Sequence, residues 1–249
     1  MNVDPSRVRA VIVKELREYR RTRFIVWSMA VLPVVFLILP IINVLSLSST
    51  ASPSTVKAVV GAAFLFLLII PVVVPAAIAA YSVVGERDQG TLEPLLTTPV
   101  RREELLLGKG LAAIIPAVAV TYALLAVFYI TVHLAAASAV VTAVWQLPLF
   151  LAEVLFAPLL AGWAIWIGIA ISARSSDVRV AQQLSTLASL PVLGLTTLIS
   201  FQVLQPSVLL AIAFGAGLLL LDACAWRVAS VAFDRERLVV GSRRATSHS

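Results

Sequence analysis

The chain has 249 residues, of which 60% are hydrophobic and 13% charged, against about half and a quarter in an ordinary soluble domain. One core of this size cannot hide so much apolar surface, which excludes a water-soluble enzyme, a disordered chain and a nucleic-acid-binding domain despite a net charge of +6. At about 20 residues per transmembrane helix, the length holds about six spans and leaves little for a separate soluble domain.

The first element is 6–23, SRVRAVIVKELREYRRTR, where Val8, Val11, Ile12, Glu15 or Leu16, and Tyr19 recur at helical spacing. Arginine and lysine fill the other face, so the pattern predicts an amphipathic helix in the headgroup layer, its basic side toward the anionic lipid of the bilayer. Six apolar runs follow, at 24–45, 59–84, 107–132, 147–171, 184–201 and 207–226. The first is longer than a signal-peptide h-region of about 7–15 residues and is read as a retained span. Prolines inside the runs (Pro33, Pro40, Pro71, Pro75, Pro116, Pro158 and Pro191 among them) predict kinked helices whose neighbours re-satisfy the freed backbone groups. Small residues at helical spacing, Ala157 with Ala161 and Ala211 with Gly215, predict close helix approach. The one cysteine, Cys224, lies in the sixth run, permits no internal disulfide and reads as a small buried hydrophobe.

Charge fixes the topology. With both termini and every second loop in the cytoplasm, eighteen of the nineteen basic residues fall on one side and only Lys57 on the other, as the positive-inside rule requires. That distribution explains the basic excess without nucleic acid. The polar tail, 227–249, then lies in the cytoplasm, and arginine-rich, lysine-poor usage points to a prokaryotic plasma or inner membrane.

The loop 85–109, GERDQGTLEPLLTTPVRREELLLGK, is long for a connector. Thr91 can cap a short helix with Pro94 in its first turn, and Thr98-Pro99 can start a second one. Between them Leu92, Leu95 and Leu96 form an apolar knob flanked by charge, which suits either a groove in a partner or the bilayer surface.

At this loop the resemblance becomes specific. Residues 86–100, ERDQGTLEPLLTTPV, followed by ELLLGK at 104–109, resemble the signature of ABC transporter permeases of the ABC-2 type, E-x-E-x-G-T-L-E-x-L-L-x-T-P-V and then E-L-L-x-G-K. Asp88 replaces the second glutamate and keeps its charge, and Pro94 occupies a variable position. The turn 172–184 also resembles the family's second cytoplasmic turn. The resemblance implies an all-α integral membrane fold in one domain: six spans, an N-terminal interfacial helix and a cytoplasmic coupling helix between spans two and three. It implies that Glu86, Gly90, Thr91, Leu92, Glu93, Leu95, Leu96 and Pro99 serve ATPase coupling, with Arg174 and Arg179 at a second contact. The implied assembly pairs two permease copies, a homodimer, with two copies of an ABC ATP-binding subunit. The implied activity is ATP-driven export.

No segment reads as a P-loop. Gly85 to Thr91 lacks the lysine, and Gly108-Lys109-Gly110 lacks the hydroxyl and the spacing. ATP and magnesium are therefore expected on the partner, with no cofactor, metal or catalytic residue in this chain. Glu153, in the outer third of the fourth run, is a candidate pathway or interface residue, set against a hydrogen-bonded structural role. Asp222 and His133 lie near the ends of their runs. An ion-coupled secondary carrier, or a non-ATPase membrane subunit of another complex, is the competing reading. A carrier would want more intramembrane charge and an internal repeat, and the halves 1–125 and 126–249 show none. An intramembrane enzyme fares worse, because His133, Glu153 and Asp222 lie at different depths.

Overall fold

The computed structural model of the chain describes residues 4–90 and 100–233. Among these residues there is no strand, and the helices in chain order are α1 (Pro5–Arg21), α2 (Arg23–Leu45), α3 (Pro53–Tyr81), α4 (Val84–Asp88), α5 (Arg102–Ala135), α6 (Ser138–Val144), α7 (Leu147–Ser172), α8 (Val178–Ser200) and α9 (Val208–Ala232). Six stretches are long and apolar enough to cross a bilayer: Ile25–Leu45, Pro53–Asp88, Arg102–Ala135, Leu147–Ser172, Val178–Ser200 and Val208–Ala232. The protein is an all-α integral membrane protein. The segment expected to form the coupling helix, with Thr91, Leu92, Glu93, Leu95, Leu96 and Pro99, lies outside the described residues, as does the tail from 234 onward.

Local chemistry sets the helix ends. The Asp4 carboxylate accepts the Ser6 N–H and caps α1, with Pro5 at the first helical position. At Thr22 the backbone turns extended, its N–H donating back to Glu18 O and Tyr19 O, and α2 starts one residue later. Ser52 caps α3 before Pro53, so that helix starts well ahead of its apolar run. Asp177 Oδ1 accepts the Arg179 and Val180 N–H groups, which starts α8 at Val178 rather than at 184. The short α6 was not foreseen: seven residues carry too little periodicity to announce a helix.

The centre of the bundle is α3 and α7, which are mostly enclosed by protein, whereas α2 and α9 turn most of their surface outward. Small residues bring α9 close to α7. Ala157, Ala161 and Ala211 are buried, and a Cβ on Gly215 would collide with Leu155 of α7. Cys224 is exposed on α9, not buried; on a peripheral span an apolar side chain can face lipid as readily as core.

Candidate functional site

One end of the bundle holds an ionic cluster built from three separate stretches of chain. Glu15 projects from the apolar stripe of α1, Glu86 from α4, and Lys109 from the second turn of α5. All three are buried, with 2%, 6% and 1% of their surfaces exposed. Lys109 Nζ donates to Glu86 Oε1 at 2.7 Å, to Glu15 Oε1 at 3.0 Å and to Ser82 O at 3.0 Å, using all three of its protons. Lys14, half exposed at the rim, reaches the same two carboxylate oxygens at 3.1 and 2.9 Å and Glu18 at 3.0 Å. Charges taken out of water survive only when paired and hydrogen-bonded, and here two ammonium groups face three carboxylates.

The electrostatics on α1 follow from this packing. Burial opposes the charge on Glu15, but Lys109 and Lys14 outweigh it, so the carboxyl is held below the usual glutamate value of 4.5. Burial likewise disfavours the Lys14 ammonium, and Glu15, Glu86 and Glu18 reverse that effect and raise it. The Tyr19 hydroxyl is pushed up by burial and by the same carboxylates, which keeps it a neutral donor to Glu15. The carboxylate oxygens of Glu15, Glu18 and Glu86 lie within 4.8 Å of one another, a spacing a metal could use. The Lys14 ammonium bonds all three and takes the place of a cation there.

Glycine makes the approach possible. A Cβ on Gly108 would meet Val11 of α1 at 2.5 Å, and one on Gly110 would overlap the Trp166 ring of α7. The glycines on either side of Lys109 thus let α1 and α7 close in on α5. A second clasp fixes the start of α5 to the start of α1. The Glu104 carboxylate accepts the Arg101 N–H at 2.8 Å and the Asp4 N–H at 3.0 Å, with Arg7 at 3.6 Å.

The cluster also joins the two loops at this end. Ser172, fully buried, donates to Ala80 O at 2.8 Å and accepts from Val83 N at 3.3 Å and Val84 N at 3.2 Å. Its hydroxyl fills the break between α3 and α4. Arg87 donates from Nη1 to Ser175 O at 3.0 Å, and its Nη2 lies 3.5 Å from Ala173 O. α4 is therefore bonded to the turn after α7, across almost ninety residues of sequence. A cavity of about 250 Å³ opens beside the cluster, lined by Glu18, Tyr19, Arg21, Tyr81 and Gln89 among others.

The structure places the sequence candidates as follows. Glu86 faces inward into the cluster. Gly90, exposed, adopts φ +67° directly after α4, a left-handed geometry that glycine takes without strain. Arg174 and Arg179 are exposed on the turn after α7 and in the first turn of α8. These four share one end of the molecule. Glu153 lies apart, six residues into α7 and 2% exposed; its Oε2 has no hydrogen-bond partner among the described residues. It is close enough to Tyr129 of α5 to act on it electrostatically. His133 is exposed, edge-on to Trp145. Asp222 sits ten residues before the end of α9, deeper than its apolar run suggested, where a Cβ on Gly162 would come within 2.6 Å of its Oδ2. Positions 153 and 162 of α7 are about half a turn apart in azimuth, so the two acids face opposite sides of that helix and do not form one pathway.

Sequence reasoning missed Lys14, Arg87 and Ser172, and it used Lys109 only as a motif letter. A signal was present for Glu15: a charge inside an apolar stripe, with a lysine between two glycines elsewhere to receive it.

A family model described as "ABC-2 family transporter protein" matches residues 9–206, a stretch that includes the cluster, both loops and the first five spans. No curated protein matches the chain.

Proposed function

The chain belongs to the ABC-2 family of transporter proteins, a membrane permease of an ABC transporter that pairs with an ABC ATP-binding subunit, and from that premise we propose how it is driven. The charged end faces the cytoplasm, with both termini, in the plasma membrane of a prokaryote. A separate ATP-binding subunit, which carries ATP and magnesium, grips the leucines of 91–99 and touches Arg174 and Arg179. Two such subunits serve two copies of this chain, and closure of the ATPase pair tilts the spans so that cargo passes outward between the copies.

The observation that carries this reading is the bonding of α4 to the turn after α7 through Arg87 and Ser172. A push on either loop is transmitted to both, and through Lys109 to α1 and α5. The arrangement suits one rigid docking face better than two independent loops. Burial of a leucine in a partner groove contributes about 1.5–3 kcal/mol, so Leu95→Arg is expected to abolish retention of the ATP-binding subunit in pull-down from detergent. Undiminished retention by that variant would rule out this docking mode. Substrate movement by the lone chain in ATP-free proteoliposomes would favour a secondary carrier instead.

A further inference from the structure

We propose that the aromatic groove at the end of the bundle far from the ionic cluster binds a lipophilic organic cation, with the Trp145 and Phe150 rings as its cage and Glu153 as its counter-charge. The site lies within this one chain, so it holds or fails independently of how an ATP-binding subunit docks.

The groove, about 500 Å³, lies between the C-terminal part of α5 and the first turns of α7. Leu125 and Tyr129, both nearly buried, form its floor, and Tyr122, Trp145 and Phe150 stand exposed around it. Contacts among the walls fix their positions. The Tyr122 hydroxyl donates to Val154 O at 2.8 Å and ties α5 to α7. Tyr129 packs edge-on to Trp145 and Phe150, with centroids 4.9 and 5.3 Å apart, and Trp145 stacks on Phe150 at 6.2 Å. A ligand would meet an array of rings already in place.

Charge identifies the ligand. Glu153 lies on α7 between Phe150 and Val154, both of which line the groove, and it acts electrostatically on Tyr129 of the floor. It is 2% exposed, and neither its Oε2 nor the Tyr129 hydroxyl has a hydrogen-bond partner among the described residues. An acid in an apolar interior is costly until an opposite charge answers it. A cation seated against Tyr129 supplies that charge. The faces of electron-rich rings attract the same cation, tryptophan most strongly. The walls are almost wholly apolar, so the rest of the ligand must be apolar too. A metal ion would find nothing there to replace its lost water, and a bare acyl chain would gain nothing from Glu153.

The test places the full-length chain in phosphatidylcholine nanodiscs and measures bound tetraphenylphosphonium by equilibrium dialysis, with empty discs correcting for partition into lipid. Wild type is expected to bind this cation saturably, and to bind tetraphenylborate, an anion of the same shape, at least about tenfold more weakly. Glu153→Gln is expected to weaken the cation by about tenfold. Trp145→Ala should cost a similar factor of about ten, and Trp145→Phe, which keeps a ring, should restore most of the affinity. Asp222→Asn removes the acid on the opposite side of α7 and is expected to leave binding unchanged. Uptake by wild type no greater than by empty discs would overturn the proposal. Equal binding of cation and anion would make the groove a seat for acyl chains and overturn it as well. So would undiminished affinity in Glu153→Gln, or an equal loss in Asp222→Asn.

Discussion

The two ends of the bundle differ in how far they satisfy their buried ionisable groups. At the charged end each ionisable side chain of the cluster has a named partner: Lys109 spends its three protons on Glu15, Glu86 and Ser82 O. At the far end, Glu153 Oε2 and the Tyr129 hydroxyl are buried without hydrogen-bond partners among the described residues. They lie amid rings, with Tyr129 packed edge-on to Trp145 at 4.9 Å and to Phe150 at 5.3 Å. An apolar groove of about 500 Å³, lined by Tyr122, Tyr129, His133, Trp145 and Phe150 among others, opens between α5 and α7 there. The bonded end specifies one arrangement of three chain segments. The aromatic end is held by shape and leaves Glu153 Oε2 and the Tyr129 hydroxyl uncommitted, while the Tyr122 hydroxyl donates to Val154 O at 2.8 Å.

The sharpest way to break this contrast is to unbalance the bonded end. Lys109→Ala strands two buried carboxylates with only the rim lysine, Lys14, to face them. Removing one partner of a buried ion pair costs about 3–5 kcal/mol, so the purified variant should melt far below wild type or fail to yield folded protein. A melting temperature within a degree or two of wild type would mean the cluster is well hydrated. Ser172→Ala comes next. It leaves the Val83 and Val84 N–H groups without their acceptor, at about 1–3 kcal/mol for a buried unsatisfied group. Hydrogen exchange should quicken at those two amides, and unchanged protection there would remove Ser172 as the clasp between α3 and α4.

Acidification tests the same region with a smaller step. The Glu15 carboxyl titrates below 4.5 in the folded protein because Lys109 and Lys14 outweigh its burial. A group depressed in the folded state stabilises it above the unfolded value and loses that contribution as pH falls through the folded value. The contribution of Glu15 to stability in detergent should therefore be level from neutrality to about pH 5 and decline below about 4.5. Since Lys109 keeps Glu86, the decline should be smaller than the effect of Lys109→Ala. Glu15→Gln should flatten that part of the profile, and an unaltered slope would assign the acid response to other carboxylates.

How much of this was legible in the sequence depended on range. The spans were readable because apolar length is a local property, and the amphipathic pattern of α1 because helical period is local. The junction was readable only in fragments. Glu15 stood out as a charge in an apolar stripe, and Lys109 as a lysine between glycines, yet nothing local joins positions 94 residues apart. Ser172 is a small hydroxyl at the end of an apolar run, unremarkable until α3 breaks beside it. Glu86 was read with the exposed coupling residues because its motif neighbours are polar; the structure turns it inward because Lys109 waits there. The end of α9 was hard to read for a different reason: Arg227 and Ser230 interrupt the hydropathy without interrupting the helix.

The smallest expected effect is the most telling about the far end. Glu153→Gln keeps the shape of a side chain that is 2% exposed and removes its capacity for charge. Were Glu153 paired as Glu15 is, the amide would strand a cation and destabilise the fold by several kcal/mol, as for other broken buried pairs. The described residues offer it no such cation: His133 is exposed and turned toward Trp145, and Lys57 is bonded to Gln202 O at 2.9 Å. Burying an ionisable carboxyl without a partner is itself costly, so the neutral amide should leave thermal stability unchanged or raise it by about 1 kcal/mol. A clear loss of stability would show that the aromatic end contains a paired charge after all, and the contrast between the two ends would disappear. If stability holds while movement of cargo by the assembled transporter falls, the carboxyl serves what passes through the bundle and not the bundle's own cohesion.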